Sequence, residues 1–328
     1  MWTPLETLQV RIREAGGFIN AHAHFDRALT VDREDFEQDR VNSHLHDKWE
    51  FVNKVKANSS TVDYQNRIDR ACRYQATQGV MAALSFIDCD VVCEDRAIKG
   101  SLLAKAETPF KLLTACQTLQ GVLEPEARRW FDWAAERVDI IGGLPGKDAG
   151  REAEHITVLL ETAQLWKKRV HVHVDQLNSP SEKETELLAR LVMKHGMEGK
   201  VTAVHGISIA AHPQWYRKEV YQMCLDAGLS FVACPTAWID HRRTESLMPG
   251  HNAVTPIDEM VPLGIPVAIG TDNIADVYKP FCDGNMLTEL RVLLESTHFY
   301  DVDELVKIAT TNGRLVLGLQ GPVKHTTE

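Results

Sequence analysis

"RVHVHVDQLNSPSEKETELLARLVMKHGMEGKVTAVHGIS", residues 169–208, reads as strand, helix, strand. Its two ends, 169–176 and 200–208, are short apolar runs rich in β-branched residues. Between them, "EKETELLARLVMKHG" repeats apolar residues at three- and four-residue intervals, the mark of a helix with one buried face. Gly196 stands where that helix should stop. Two strands joined through such a helix run parallel, with the helix as the crossover. The same alternation recurs along the chain. Runs at 17–24, 79–88, 110–118, 138–145, 229–235 and 265–273 bring the strand candidates to eight, and patterns such as "TVDYQNRIDRACRYQATQ" and "EAEHITVLLETAQLWKK" fill the gaps as helices. Strand then helix, eight times, predicts a closed (β/α)8 TIM barrel, a fold of about 250 residues plus insertions. The 328 residues of the chain fit it. An open doubly wound sheet is the competing arrangement, but no glycine-rich phosphate loop follows the first strand. The expected division is an N-terminal extension at 1–16, the barrel at 17–318 and a C-terminal tail at 319–328.

Composition narrows the partners. A formal net charge of -10 argues against nucleic acid or an acidic membrane surface, and leaves a small molecule as the expected partner. The seven cysteines include no pair at the spacing of a zinc knuckle, and they read as reduced thiols of a cytoplasmic protein. The opening "MWTPLETLQVRIREAGG" lacks a signal core, and no apolar segment is long enough to span a bilayer. A soluble protein is expected, with a homo-oligomer as an open possibility.

In a barrel of this kind the reacting groups sit at the carboxyl ends of the strands. Strand one, "GFINAHAH", ends with His22 and His24, whose spacing sends both imidazoles to one side. Strand five carries His171, His173 and Asp175 on one face, with Gln176 next. Strand six ends with His205, and strand eight with Asp272 and Asn273. Neutral imidazoles with one carboxylate suit zinc, iron or a similar divalent ion. Such an ion lowers the pKa of bound water from 15.7 to about 7, giving a hydroxide nucleophile at neutral pH. The long connection at 25–61 reads as a lid, and its second pair, His44 and His46, as solvated lid residues whose rings diverge.

"HAHFD" on strand one, His173 on strand five, His205 on strand six and "GTDN" on strand eight resemble the amidohydrolase superfamily. "KVTAVHGISIAAH", "LSFVACPTAWIDHRR" and "GTDNIADVYKPFCDGNMLTEL" are similar to its cytosine deaminase branch and the related N-isopropylammelide amidohydrolases. The resemblance implies that His22, His24, His173 and Asp272 bind one divalent metal, with zinc favoured and iron the alternative. Asp272 would also be the first acceptor of the water proton, and His205 would polarise the substrate or shuttle a proton. It also implies a pocket shaped by Asn273, Gln117 or Gln120, and Trp238, with Arg27 as a basic residue facing the substrate. Lys147 lies beyond the end of strand four and reads as a loop cation, which leaves a single metal.

Two departures from the resemblance matter. Gln176 occupies a catalytic position where cytosine deaminases carry a glutamate, and an amide cannot take up and deliver a proton. General acid–base help is typically worth 10²–10⁴-fold, which leaves three outcomes open: His205 and Asp272 carry the proton traffic, the substrate needs no ring protonation, or the protein is catalytically weak. The β-sandwich that relatives build from both chain ends is expected to be largely missing, since only residues 1–16 precede strand one. The expected activity is metal-dependent hydrolysis of a C–N bond in a small nitrogen-rich, heterocyclic compound. The alternatives are a non-catalytic ligand-binding barrel and a lactone or ester hydrolase.

Overall fold

A computed structural model describes residues 3–43, 45–237 and 254–321. In chain order the elements begin with α1 (Pro4–Glu14), β1 (Phe18–Ala23), α2 (Arg33–Glu37), α3 (Leu45–Ala57) and α4 (Thr61–Thr77). Next come β2 (Val80–Asp88), α5 (Arg96–Glu107), β3 (Lys111–Gln117), α6 (Pro125–Arg137), β4 (Ile141–Gly143), α7 (Glu152–Trp166) and β5 (Val170–Val174). The chain continues through α8 (Glu184–His195), β6 (Val201–His205), α9 (Gln214–Asp226), β7 (Ser230–Ala233), α10 (Ile257–Met260) and β8 (Val267–Ile269). Three helices close it: α11 (Met286–Thr297), α12 (Val302–Ala309) and α13 (Thr311–Leu317).

The eight strands are all parallel and lie in chain order. β1–β2–β3 and β4–β8 form two hydrogen-bonded arcs, and bridges at Ala115–Ile140 and Ala23–Asp272 join their ends into the expected barrel. Every strand of the described residues belongs to this ring. Registers set the level of the mouth. Asp88 pairs with Gln117 at the ends of β2 and β3, and Val174 with His205 at the ends of β5 and β6. Local chemistry agrees with the long-range order. α4 starts on a reciprocal Ser60–Asp63 capping box, and Gly196 caps α8 at a positive φ of 62°.

Alternate strand residues fill two cores. Ile19, Ala21, Leu84, Phe86, Val204 and Val232 pack inside the ring, while a larger cluster lies between the strands and the helices. Val316 and Leu317 of α13 join the inner cluster and plug the end opposite the mouth. Close approach decides two glycines. A Cβ on Gly142 would lie 2.2 Å from the Cys116 carbonyl oxygen, and one on Gly270 2.6 Å from that of His22.

Strand eight is shorter than its apolar run. β8 stops at Ile269, and Asp272 follows in a left-handed conformation (φ 56°), because the chain must turn there to bring its carboxyl over the mouth. The 1–16 extension holds a helix whose Leu8 and Ile12 are buried against the outer core. No helix among the described residues is long and apolar enough to cross a membrane.

Candidate metal centre at the barrel mouth

The alternation of β1 aims His22 and His24 inward. Their Nε2 atoms lie 3.3 and 3.1 Å from the same oxygen, Oδ1 of Asp272. Two backbone bonds hold that placement: Asp272 N–H donates to the His22 carbonyl at 3.0 Å, and His24 N–H to the Asp272 carbonyl at 3.2 Å. The His173 ring stands 4.8 Å from that of His22 and 5.6 Å from that of His24, centroid to centroid. His205 stands 5.4 Å from His173 and 5.6 Å from His22. Within each of two overlapping sets, His22/His24/Asp272 and His22/His173/His205, the ligand atoms lie within 4.8 Å of one another. Asp272, His205 and Asp175, at or just past the ends of β8, β6 and β5, all take positive φ. Non-glycine residues hold that conformation at a cost of about 1–3 kcal/mol each, here concentrated around one point.

Electrostatics suits a cation. All five groups are buried. Burial, reinforced by the Arg27 charge, holds His24 well below the usual imidazole range. Burial and the neighbouring imidazoles do the same to His173, and burial pushes His205 down to about 3. For Asp272 burial acts the other way, but contacts from His22 and His24 and the nearby His205 outweigh it and keep the carboxyl ionised. His24, His173 and His205 are therefore neutral beside an ionised carboxylate. The Gly143 carbonyl lies 3.0 Å from His173 Nδ1 and so takes the proton of that nitrogen, leaving the Nε2 lone pair free. Both ring nitrogens of His22 and Nδ1 of His24 are buried without a hydrogen-bond partner among the described residues. Converging lone pairs beside a carboxylate oxygen repel one another unless a cation sits between them. The donor set fits a divalent ion, three imidazoles and one carboxylate being a zinc-like complement.

The remaining predicted residues are distributed differently. His171 faces inward, as its spacing predicts, but its Nε2 lies 3.0 Å from the Val316 carbonyl of the plug, at the far end of the barrel. Asp175 turns away from the cluster at φ 51° and accepts the Glu184 and Thr185 N–H groups at 2.7 and 3.1 Å, fastening the start of α8. Gln176 is half-buried just beyond, in a loop held by Glu182, whose carboxylate takes the Leu177 N–H at 2.6 Å. Gln117 ends β3, and its Oε1, like that of Gln120, is buried with no partner among the described residues. Asn273 donates from Nδ2 to Asp276 at 2.5 Å. Arg27 lies between Asp88 (3.5 Å) and Asp276 (3.7 Å), its guanidinium over the Tyr278 ring at 5.1 Å. Lys147 lies 3.9 Å above the Trp49 ring. Trp238 and His44 fall outside the described residues, and of His46 only the backbone, in α3, is described.

The 25–61 connection, read as a lid, contains α3, and what the sequence did not reveal is how that helix is held. Val52 of α3, with Trp49 and Phe51, packs on Leu119 after β3, Leu144 after β4 and Val277 and Tyr278 after β8. The same helix ends with Lys56, fully buried and ion-paired to Asp88 (3.4 Å) and to Asp90. Asp26, of the "HAHFD" motif, accepts the Asp88 N–H at 2.9 Å, and burial together with the Asp88 charge pushes it up to about 7. Asp88 could have been found, since it ends strand two. Lys56 carried no such signal, because a lysine in an amphipathic helix reads as solvated.

Comparison with known proteins places this geometry. The profile of the amidohydrolase family matches residues 47–322. An uncharacterised protein of Haemophilus influenzae is 48% identical over 258 residues, covering 76% of this chain and 92% of that protein. N-isopropylammelide isopropyl amidohydrolase of Pseudomonas sp. (strain ADP) is 22% identical over 318 residues, 93% of this chain and 74% of that one. The crystal structure of 5-methylcytosine deaminase from Klebsiella pneumoniae liganded with 5-fluorocytosine superposes with a TM-score of 0.84 at 24% identity. That match covers 92% of this chain and 74% of the other, and the fold is shared.

Proposed function

The chain belongs to the amidohydrolase family, hydrolases of C–N bonds, and from that premise we propose that it hydrolyses a C–N bond in a small nitrogen-rich heterocycle with one divalent metal. The observation that carries the reading is the convergence of His22 with His24 and Asp272 and with His173 and His205, together with the unpartnered buried nitrogens of His22 and His24; His22, His24, His173 and Asp272 are the four ligands of this reading. An ion held by those four would act as a Lewis acid and lower the pKa of water to about 7. Asp272, kept ionised, accepts the proton of the attacking water and passes it toward the leaving nitrogen. His205, kept neutral by burial, donates a hydrogen bond to the substrate ring atom on which charge develops. Gln176 orients the substrate through its amide and moves no proton. Arg27 and Asn273 act by fixing the loop after β8.

The test is metal analysis of the purified protein with an ammonia- and amine-release screen against cytosine, 5-methylcytosine and N-isopropylammelide. The expected result is one zinc or iron per chain, turnover of at least one compound, and loss of about 10²–10⁴-fold or more in Asp272→Asn. Stoichiometric metal with no turnover would favour a ligand-binding barrel. Absence of metal binding would defeat the reading.

A further inference from the structure

We propose that Asp148 and His155 are positioning residues for the metal centre, bracing Gly143 from outside the ring so that its carbonyl selects the Nδ1-protonated tautomer of His173. The inference deepens the one-metal reading above and rests on it. His173 offers Nε2 to an ion only while Nδ1 keeps the proton, and the Gly143 carbonyl, 3.0 Å away, is what holds it there. That carbonyl ends β4, a strand of three residues of which two are glycines. Glycine weakens a strand and marks the close approach of another group. Here the group is α7. His155 and Leu159, one turn apart on that helix, stand where a side chain of Gly143 would be, with His155 Nε2 3.1 Å from the Cβ position and Leu159 closer still.

The brace is itself anchored. His155 Nδ1 lies 2.6 Å from Asp148 Oδ2, and the same oxygen accepts the Val122 N–H at 2.8 Å. One carboxylate therefore ties the connection after β3, the connection after β4 and α7 to a single point. Burial opposes its charge, but the bonds from His155 and Val122 outweigh burial and hold the Asp148 carboxyl below its usual range. An ionised carboxylate only accepts, so the His155 proton sits on Nδ1. His155 Nε2 is then a bare lone pair, buried with no hydrogen-bond partner among the described residues. Nothing polar draws it against a glycine, and the Asp148 bond keeps it there against the cost of an unpaired nitrogen. Removing either residue frees the end of β4 to shift, and a shifted carbonyl no longer distinguishes the two tautomers of His173.

Two measurements decide it. In the metal-free protein, imidazole nitrogen NMR, with His173 assigned through His173→Gln, should show the His173 proton on Nδ1 alone. Both tautomers should appear in His155→Ala and in Asp148→Ala. A wild-type His173 protonated on Nε2, or a tautomer unchanged in the variants, overturns the proposal. By chelator competition, the zinc Kd should rise about 10–100-fold in both variants. Val220→Ala, a core truncation on α9, is the control for lost stability: it should lower the unfolding midpoint and leave the zinc Kd unchanged. An unchanged Kd in the two variants, or an equal rise in Val220→Ala, also overturns the proposal. If His155→Ala does not fold, Asp148→Ala decides, since it leaves the α7 packing in place. If the wild type binds no zinc, the one-metal reading fails, and the His173 tautomer alone decides the roles of Asp148 and His155.

Discussion

His171 and His173 share a strand, a face and a residue type, and they serve different ends of the barrel. His173 has its Nδ1 fixed by the Gly143 carbonyl, which leaves Nε2 for the cluster, while His171 meets the Val316 carbonyl of the plug. The pH behaviour of His171 follows from its burial, which pushes it down to about 3 from an ordinary 6.5 against the opposing pull of that carbonyl. Between those values the unfolded chain binds a proton that the folded chain refuses. The stability His171 contributes is thus present above about pH 6.5 and is lost as pH falls toward 3. Thermal unfolding of His171→Gln between pH 7 and 4.5 should show a shallower decline in midpoint than the wild type; parallel curves would contradict this account. At the same scale, Asp272 and His205 were readable because each ends an apolar run, where a polar residue at the mouth stands out. Tyr278 was not readable. It lies in an irregular loop, which has no periodic signal for its place in the α3 cluster.

The element that most changes the picture is α3. Its cover over the mouth rests on Val52, Trp49 and Phe51, on the Lys147–Trp49 contact and on the buried Lys56 ion pairs. The first three are few contacts for a whole helix, so local opening should be far easier than global unfolding. In the double variant Trp49→Ala, Val52→Ala, proteolysis within residues 43–60 should speed up by about tenfold or more. The global unfolding midpoint should fall by only a few degrees. Lys56→Met should act differently, costing about 3–5 kcal/mol in denaturant unfolding, because Asp90 would remain buried without its cation and Asp88 would keep only Arg27. The chain after β8 is the other element set by a single close approach. Gly270→Ala puts a Cβ against the His22 backbone and should destabilise by about 2–4 kcal/mol while lowering metal content.

At the largest scale, closing the ring is what brings the candidate metal ligands together. β1 and the chain after β8 meet at the Ala23–Asp272 bridge, and the ligands they bring are 250 residues apart in sequence, from His22 to Asp272. A metal bound by the folded ring alone stabilises it by RT ln(1 + [L]/Kd), about 2.7 kcal/mol at a hundredfold excess over Kd. Chelation should lower the calorimetric midpoint by several degrees in the wild type and leave Asp272→Asn unmoved. The strand–helix alternation, the parallel barrel and the residues at the strand ends were legible along the chain, because hydrophobic periodicity and turn glycines act over a few residues at a time. Long-range contacts settled that Asp175 fastens α8, that His171 belongs to the plug, that Lys56 is buried and that Tyr278 packs in the α3 cluster. Each of those outcomes depends on which distant backbone or charge a side chain meets, and a local pattern contains no record of that meeting.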